Sequence, residues 1–344
     1  MTAAPPSSPH VHGPSAVSKV MHQVSLALMP ALVAYTWLFG WGVVLNVLIA
    51  AVVALGSEAL VLKLRSRPVI STLGDGSALV TALLLAIALP PLAPWWLTTV
   101  GVAFAIILAK QLYGGLGYNP FNPAMIGYVV LLISFPLEMT SWLAPGELRE
   151  GSLSFAGAAS YVFSGALPGT TGLDSLTMAT PLDTMKTQLG LELTLGEITA
   201  SSVFGKFGGT GWEVVNGLIL LGGLYMLFRR IITWHVPVAM LGTLFAAAGL
   251  FHLINPDHYA GPLFHLFSGG AMLGAFFIAT DPVSGATSNK GRLWFGAGVG
   301  ILTYIIRTWG GYPDGIAFSV LLMNMAAPTI DYYTQPRVFG HTRG

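Results

Sequence analysis

Apolar runs of about 20 residues recur along this chain, the length a helix needs to cross roughly 30 Å of hydrocarbon. Ten fit in its 344 residues: Val24 to Trp41, Val43 to Leu62, Ala78 to Leu92, Leu97 to Ala109, Ala124 to Phe135, Val214 to Phe228, Val236 to Phe251, Leu263 to Ala279, Leu293 to Ile306 and Gly315 to Ile330. Charged residues are 8% of the chain and hydrophobic ones 54%, whereas a soluble globular chain is about a quarter charged. The fold class is therefore an all-α integral membrane protein. Several runs are short, and the fifth begins in a Pro-rich turn. Such segments read as broken helices, which membrane depth tolerates only where protein buries them or a cavity receives them.

The few charges orient the chain. With the N-terminus inside, the cytoplasmic segments hold Lys19, Lys63, Arg65, Arg67, Lys110, Arg229, Arg230, Lys290, Arg292, Arg337 and Arg343. Only Arg149, Lys186, Lys206 and Arg307 fall outside. Eleven against four obeys the positive-inside rule. The expected organisation is a cytoplasmic tail over residues 1–20, a first five-helix repeat over 21–136, an external loop over 137–212, a second repeat over 213–334 and a cytoplasmic tail over 335–344. The stretch Met1 to Val17 lacks an apolar core and reads as a disordered tail, not a cleavable signal. A net charge of +1 gives no field for nucleic acid. Without cysteine there is no disulfide, thiolate zinc site or cysteine-ligated cluster. Any redox role needs another cofactor.

The halves resemble each other. Asp75-Gly76-Ser77-Ala78 has a counterpart 193 residues on in Ser268-Gly269-Gly270-Ala271, and Tyr113-Gly114-Gly115 has one 196 residues on in Trp309-Gly310-Gly311. An odd number of spans per copy inverts the second, and inverted repeats build a shared central site from broken helices. The Gly/Pro-interrupted stretches are Gly114 to Pro123 and Thr280 to Thr287. Their free backbone groups and helix ends can face a ligand, so Asn119, Asn122, Asp281 and Ser284 are candidate flavin or ion contacts; as plain turns they need none.

In the external loop stands Asp174-Ser175-Leu176-Thr177-Met178-Ala179-Thr180. It resembles the motif read by bacterial flavin transferases, D-x-x-[ST]-G-A-[ST], whose last hydroxyl receives FMN as a phosphoester. An accessible hydroxyl and small neighbours are what that chemistry needs. Thr180 is the expected acceptor, within a motif formed by Asp174, Thr177 and Ala179. Met178 stands where the motif prefers Gly. Asp281 to Thr287 fits the pattern better, because it has the Gly, but orientation puts Thr287 on the cytoplasmic side, away from the transferase. Thr180 is therefore expected to carry the flavin and Thr287 not.

Together with the ten-span pattern, Gly-Gly-Leu-Gly-Tyr-Asn-Pro-Phe-Asn-Pro-Ala (114–124), Ala-Thr-Pro-Leu-Asp (179–183), Thr-Asp-Pro-Val-Ser-Gly-Ala-Thr (280–287) and Tyr-Pro-Asp-Gly-Ile-Ala-Phe-Ser-Val-Leu-Leu-Met-Asn (312–324) make nearly the whole chain resemble the family that holds RnfD and NqrB. Length and the short N-terminal tail are similar to the RnfD branch. The resemblance implies a flavoprotein subunit of the bacterial inner membrane with covalent FMN, multi-pass, its termini cytoplasmic and its large loop periplasmic. It implies electron transfer between ferredoxin and NAD coupled to Na⁺ or H⁺ movement, with iron-sulfur and flavin subunits as partners, a flavin transferase for maturation and lipid around it. A further noncovalent riboflavin has its parallel in the NqrB branch. No complete active site is expected in this chain alone, and no G-x-G-x-x-G follows a strand to bind NAD.

Ionisable groups in or beside spans are ion-coupling candidates: Glu58, Asp75 and Asp314. For Asp75 and Asp314, each followed by Gly, simple helix capping is the other reading. His252, Asp257, His258 and His265 match no compact ligand spacing, and no metal site is expected. Two other functions share these features: the NqrB component of a sodium-translocating NADH:quinone reductase, and a small-solute channel or secondary transporter. The latter has no use for a flavin acceptor.

Overall fold

The computed structural model describes residues 14–149, 151–167 and 172–334. All its regular elements are helical. The first half runs α1 (Pro14–Phe39), α2 (Gly42–Leu64), α3 (Val69–Leu73), α4 (Ser77–Ala88), α5 (Trp95–Ala103), continued by a π-helical stretch Phe104–Gln111, and α6 (Pro123–Ser134). The large loop holds α7 (Pro136–Thr140), α8 (Phe155–Ser164), α9 (Pro181–Gly190) and α10 (Leu195–Thr199). The second half follows as α11 (Trp212–Phe228), α12 (His235–Ile254), α13 (Pro262–Phe267), α14 (Ala271–Leu273) with a π-helical stretch Gly274–Ile278, α15 (Asn289–Trp309) and α16 (Ile316–Thr334).

Helix boundaries depart from hydropathy in three places. α1 already starts at Pro14, inside the stretch that composition marks as a disordered tail. α4 stops at Ala88, since Pro90, Pro91 and Pro94 cannot continue it. The eighth apolar run is split at Ser268-Gly269-Gly270 into α13 and α14.

A set of polar side chains is buried within an apolar core, and the exterior is apolar. Asn46, Glu58, Lys110, Gln111, Asn122, Asn216, Arg307 and Asn324 are buried, while Val33, Trp37, Val52, Leu64, Phe228 and Leu253 are each 68% exposed or more. Water would penalise such an exterior heavily, and lipid does not. Three helices are long and apolar enough to cross a bilayer unaided, Val17–Phe39, Gly42–Leu64 and His235–Ile254. The protein is membrane-embedded.

Without a hydrophobic drive inside lipid, helix contacts rely on close fit. On α15, a Cβ at Gly296 would meet the Val236 carbonyl at 2.6 Å, and one at Gly300 would strike Thr243 Oγ1 and the Met240 carbonyl of α12. This Gly-x-x-x-Gly stripe seats α15 on α12. In the first half α2 packs on α4 and α5; α1 meets α11 and α6 meets α16 across the halves.

Candidate functional site

Thr180 is the N-cap of α9. Its Oγ1 accepts from the Asp183 N–H at 3.2 Å, and Pro181 occupies the first helical position, where its missing N–H costs nothing. The preceding motif lies extended along residues 142–144, with Ala144 N–H donating to Leu176 O at 3.0 Å and Met178 N–H to Trp142 O at 2.9 Å. Thr177 Oγ1 donates back to Leu173 O, and Asp174 is exposed on a single 3₁₀ turn. Ala179 is exposed and Met178 half-buried.

Below Thr180 lies a cavity of about 130 Å³, lined by Tyr35, Tyr128, Trp142, Trp212, Asn216, Asp183 and Asp314 among others, with Asp174 outside it. Two buried polar atoms beside it, Tyr35 Oη and Asn216 Oδ1, have no hydrogen-bond partner among the described residues, although Asn216 Nδ2 donates to Trp212 O and Phe267 O. Asp314 anchors its floor. One carboxylate oxygen accepts from Gly270 N–H at 2.7 Å, and the other from Ile316 N–H and the Arg307 guanidinium at 3.0 Å. Arg307 also donates to His265 O and Ser268 O, so it holds together the break between α13 and α14. Lys186 ties α9 down by donating to the carbonyls of Ile306, Arg307 and Tyr312, and partial burial lowers its pKa below the ordinary lysine value.

A second cavity of about 200 Å³ opens at the opposite end, where Met21, Ser77, Lys110, Asn119, Asn122, Asp281 and Arg292 contribute to its lining. Asn122 caps α6 through Met125 N–H and receives Asn324 Oδ1 at its own N–H, 3.1 Å away. Asn324 Nδ2 donates onward to Ser284 O at 3.0 Å, so one side chain joins the two Pro-broken loops. Asn119 and Asp281 bond locally, Asn119 to Phe121 O and Asp281 to Val283 N–H and Ser284 Oγ. Thr287 stands at this end, its N–H on Asp331, and Thr180 at the other.

The ionisable candidates separate. Asp75 is a cap, accepting from Ser77 N–H and Oγ. Glu58 is fully buried and receives Lys110 Nζ at 2.6 Å and Gln111 Nε2 at 2.7 Å; Nζ also donates to Ser77 Oγ at 2.7 Å. Lys110, which charge counting assigns to a cytoplasmic segment, is instead 2% exposed. The π-helical stretch Phe104–Gln111 carries Lys110 and Gln111, both buried and both on Glu58 Oε1. Lys110 lies four residues before Gly114, and Arg307, also buried, three before Gly310.

The cavities stand back to back. On α4, Leu84 lines one and Ile87 the other; on α6, Ala124 and Met125 divide the same way. Along the α4 axis that wall is about 5 Å, one helical turn.

A family model described as the NQR2, RnfD, RnfE family matches residues 5–340. Proteins named as the D subunit of an ion-translocating oxidoreductase complex are similar to the chain over nearly all of both lengths. That of Aliivibrio salmonicida (strain LFI1238) is 54% identical over 345 residues, covering 98% of each chain. Alcanivorax borkumensis gives 57% over 336 residues, 97% of this chain and 96% of the relative; Pseudomonas paraeruginosa gives 56% over 348 residues, 100% and 97%.

Proposed function

Because the chain belongs to the NQR2, RnfD, RnfE family, we propose that it is the membrane flavoprotein subunit of an Rnf-type complex, in which electrons passing between ferredoxin and NAD drive Na⁺ or H⁺ across the bacterial inner membrane. Its ten apolar runs cross the bilayer as two inverted five-helix repeats, with both termini cytoplasmic and the Thr180 loop periplasmic. The partners are the iron-sulfur and flavin subunits of that complex, since the chain offers no thiolate of its own.

The observation that carries this reading is Thr180 at the lip of an aromatic-walled cavity beside two polar atoms unpartnered among the described residues, Tyr35 Oη and Asn216 Oδ1. These residues fit FMN. Thr180 Oγ1 would carry its phosphate at the positive N-terminus of α9, Tyr35 and Asn216 offer one donor and one acceptor to a polar-edged ring, and Trp142, Trp212 and Tyr128 offer it aromatic walls. When bound, the flavin supplies the one- and two-electron chemistry that the side chains lack. The opposite cavity, with Asn119, Asn122, Asp281 and Ser284 around it, suits a noncovalent riboflavin. Leu84, Ile87, Ala124 and Met125 would stand between the two groups. Glu58, with its Lys110 partner beside the second cavity, is the coupling carboxylate.

In-gel flavin fluorescence of the denatured chain, made together with a flavin transferase, tests the assignment. Fluorescence retained by Thr180→Ser and abolished by Thr180→Ala is the expected result. A dark wild-type band would favour a channel or transporter instead.

A further inference from the structure

Four basic residues lie on the large-loop side, and three have an evident setting. Arg307 pairs with Asp314, Lys186 caps α15, and Lys206 is exposed. Arg149 is different. It is half-buried, its Nε is shielded from solvent, and its guanidinium meets no acceptor among the described residues. It lies over the α1–α2 turn, where a Cβ at Gly40 would stand 3.5 Å from Nη1; Gly40, at φ +89°, has none. Gly146 N–H donates to Leu38 O at 2.8 Å and fixes the approach to that turn. Burial lowers the pKa of Arg149 from its ordinary value.

Beside this cation the outer surface is apolar. α8 packs against α2, with Phe155 edge-on to Trp41 at 5.8 Å. Its outward face presents Phe155 and Phe163, and Phe155–Ser164 contains no charge. The same surface continues down α2 through Leu48 and Val52. An unmatched guanidinium thus stands where an apolar band ends in aromatic rings. A phosphodiester satisfies the fork of an arginine bidentately, and attached acyl chains would cover the band below.

We propose that Arg149, Trp41 and α8 form a binding site for the headgroup phosphate of a phospholipid in the loop-side leaflet. It secures the loop that carries Thr180 to the bilayer surface. The site rests on the proposed topology but not on flavin attachment.

The test uses the full chain in dodecyl maltoside, stripped of lipid and titrated with phosphatidylglycerol, dioleoylglycerol or inorganic phosphate, with native mass spectrometry and thermal melting as readouts. Phosphatidylglycerol should bind and raise the melting temperature, while the other two probes leave it unmoved. Arg149→Gln should weaken phosphatidylglycerol about tenfold, the loss expected for one charge-assisted contact; Phe163→Ser should weaken it severalfold, and Lys206→Gln should match wild type. Covalent flavin fluorescence should persist in Arg149→Gln, which separates failure here from failure of the flavin assignment. Unchanged affinity in Arg149→Gln or in Phe163→Ser overturns the proposal. So does a phosphate response equal to that of the lipid, or a loss in Glu150→Gln matching that in Arg149→Gln, because the guanidinium would then have its partner within the chain.

Discussion

Lys110 and Glu58 form an ion pair at 2.6 Å, with side-chain exposures of 2% and 0%. Removing one member of such a pair leaves the other charged in a dry interior. Lys110→Met should destabilise the chain by about 3–5 kcal/mol, read by thermal denaturation in detergent, and Lys110→Met/Glu58→Gln should recover most of that. A double variant no more stable than the single would show that the pair does not govern the loss.

Glu58→Gln keeps the shape of the side chain but not its charge. Combined with Lys110→Met, so that no charge is stranded, the expected phenotype is a complex that retains covalent flavin and electron transfer while ion uptake into vesicles is lost. Undiminished uptake would remove Glu58 from the coupling path.

Asn324 is the bridge between the broken loops of the two halves. Asn324→Ala strands a buried N–H of Asn122 and the carbonyl of Ser284, a cost of about 1–3 kcal/mol for each unmet group. A melting temperature within a degree of wild type would argue that these loops are held by packing alone.

Thr287 offers the better-matching flavin motif, at the end that the proposed orientation makes cytoplasmic. Thr287→Ala should therefore leave in-gel flavin fluorescence unchanged, and loss of the signal would reverse the orientation.

The Thr194–Glu197 capping box supports α10, whose Leu195 and Ile198 pack against Leu182 and Met185 of α9. Its backbone and hydroxyl hydrogen bonds hold the Glu197 carboxyl below the usual range. A depressed acid stabilises the fold at pH above its unfolded value, about 4.3, and that support is lost as pH falls through the folded value. Protection from hydrogen exchange over residues 194–199, relative to the intrinsic rate, should fall on acidification below about pH 4, and in Glu197→Gln that fall should disappear.

Much of this is legible in the residues. Each apolar run overlaps a helix, and Thr180, singled out by its motif, lines a cavity. Lys110 is not legible, because hydropathy treats a lysine at the end of a run as solvated, and its partner Glu58 lies 52 residues away. Asn324 escapes for a related reason. An amide in an apolar helix has no local partner, and its two are 202 and 40 residues away.

The one-turn wall between the cavities has an electrical consequence. A transmembrane voltage falls across whatever is dry, and where both cavities are wet the drop is compressed from about 30 Å to about 5 Å. A charge passing from one cavity to the other would then traverse most of the potential in a single short step, worth about 2.3 kcal/mol per 100 mV. On the proposed topology Leu84, Ile87 and Met125 would then be the dielectric of a nanoscale capacitor, and polar substitutions there should appear as a leak before they appear as a loss of fold.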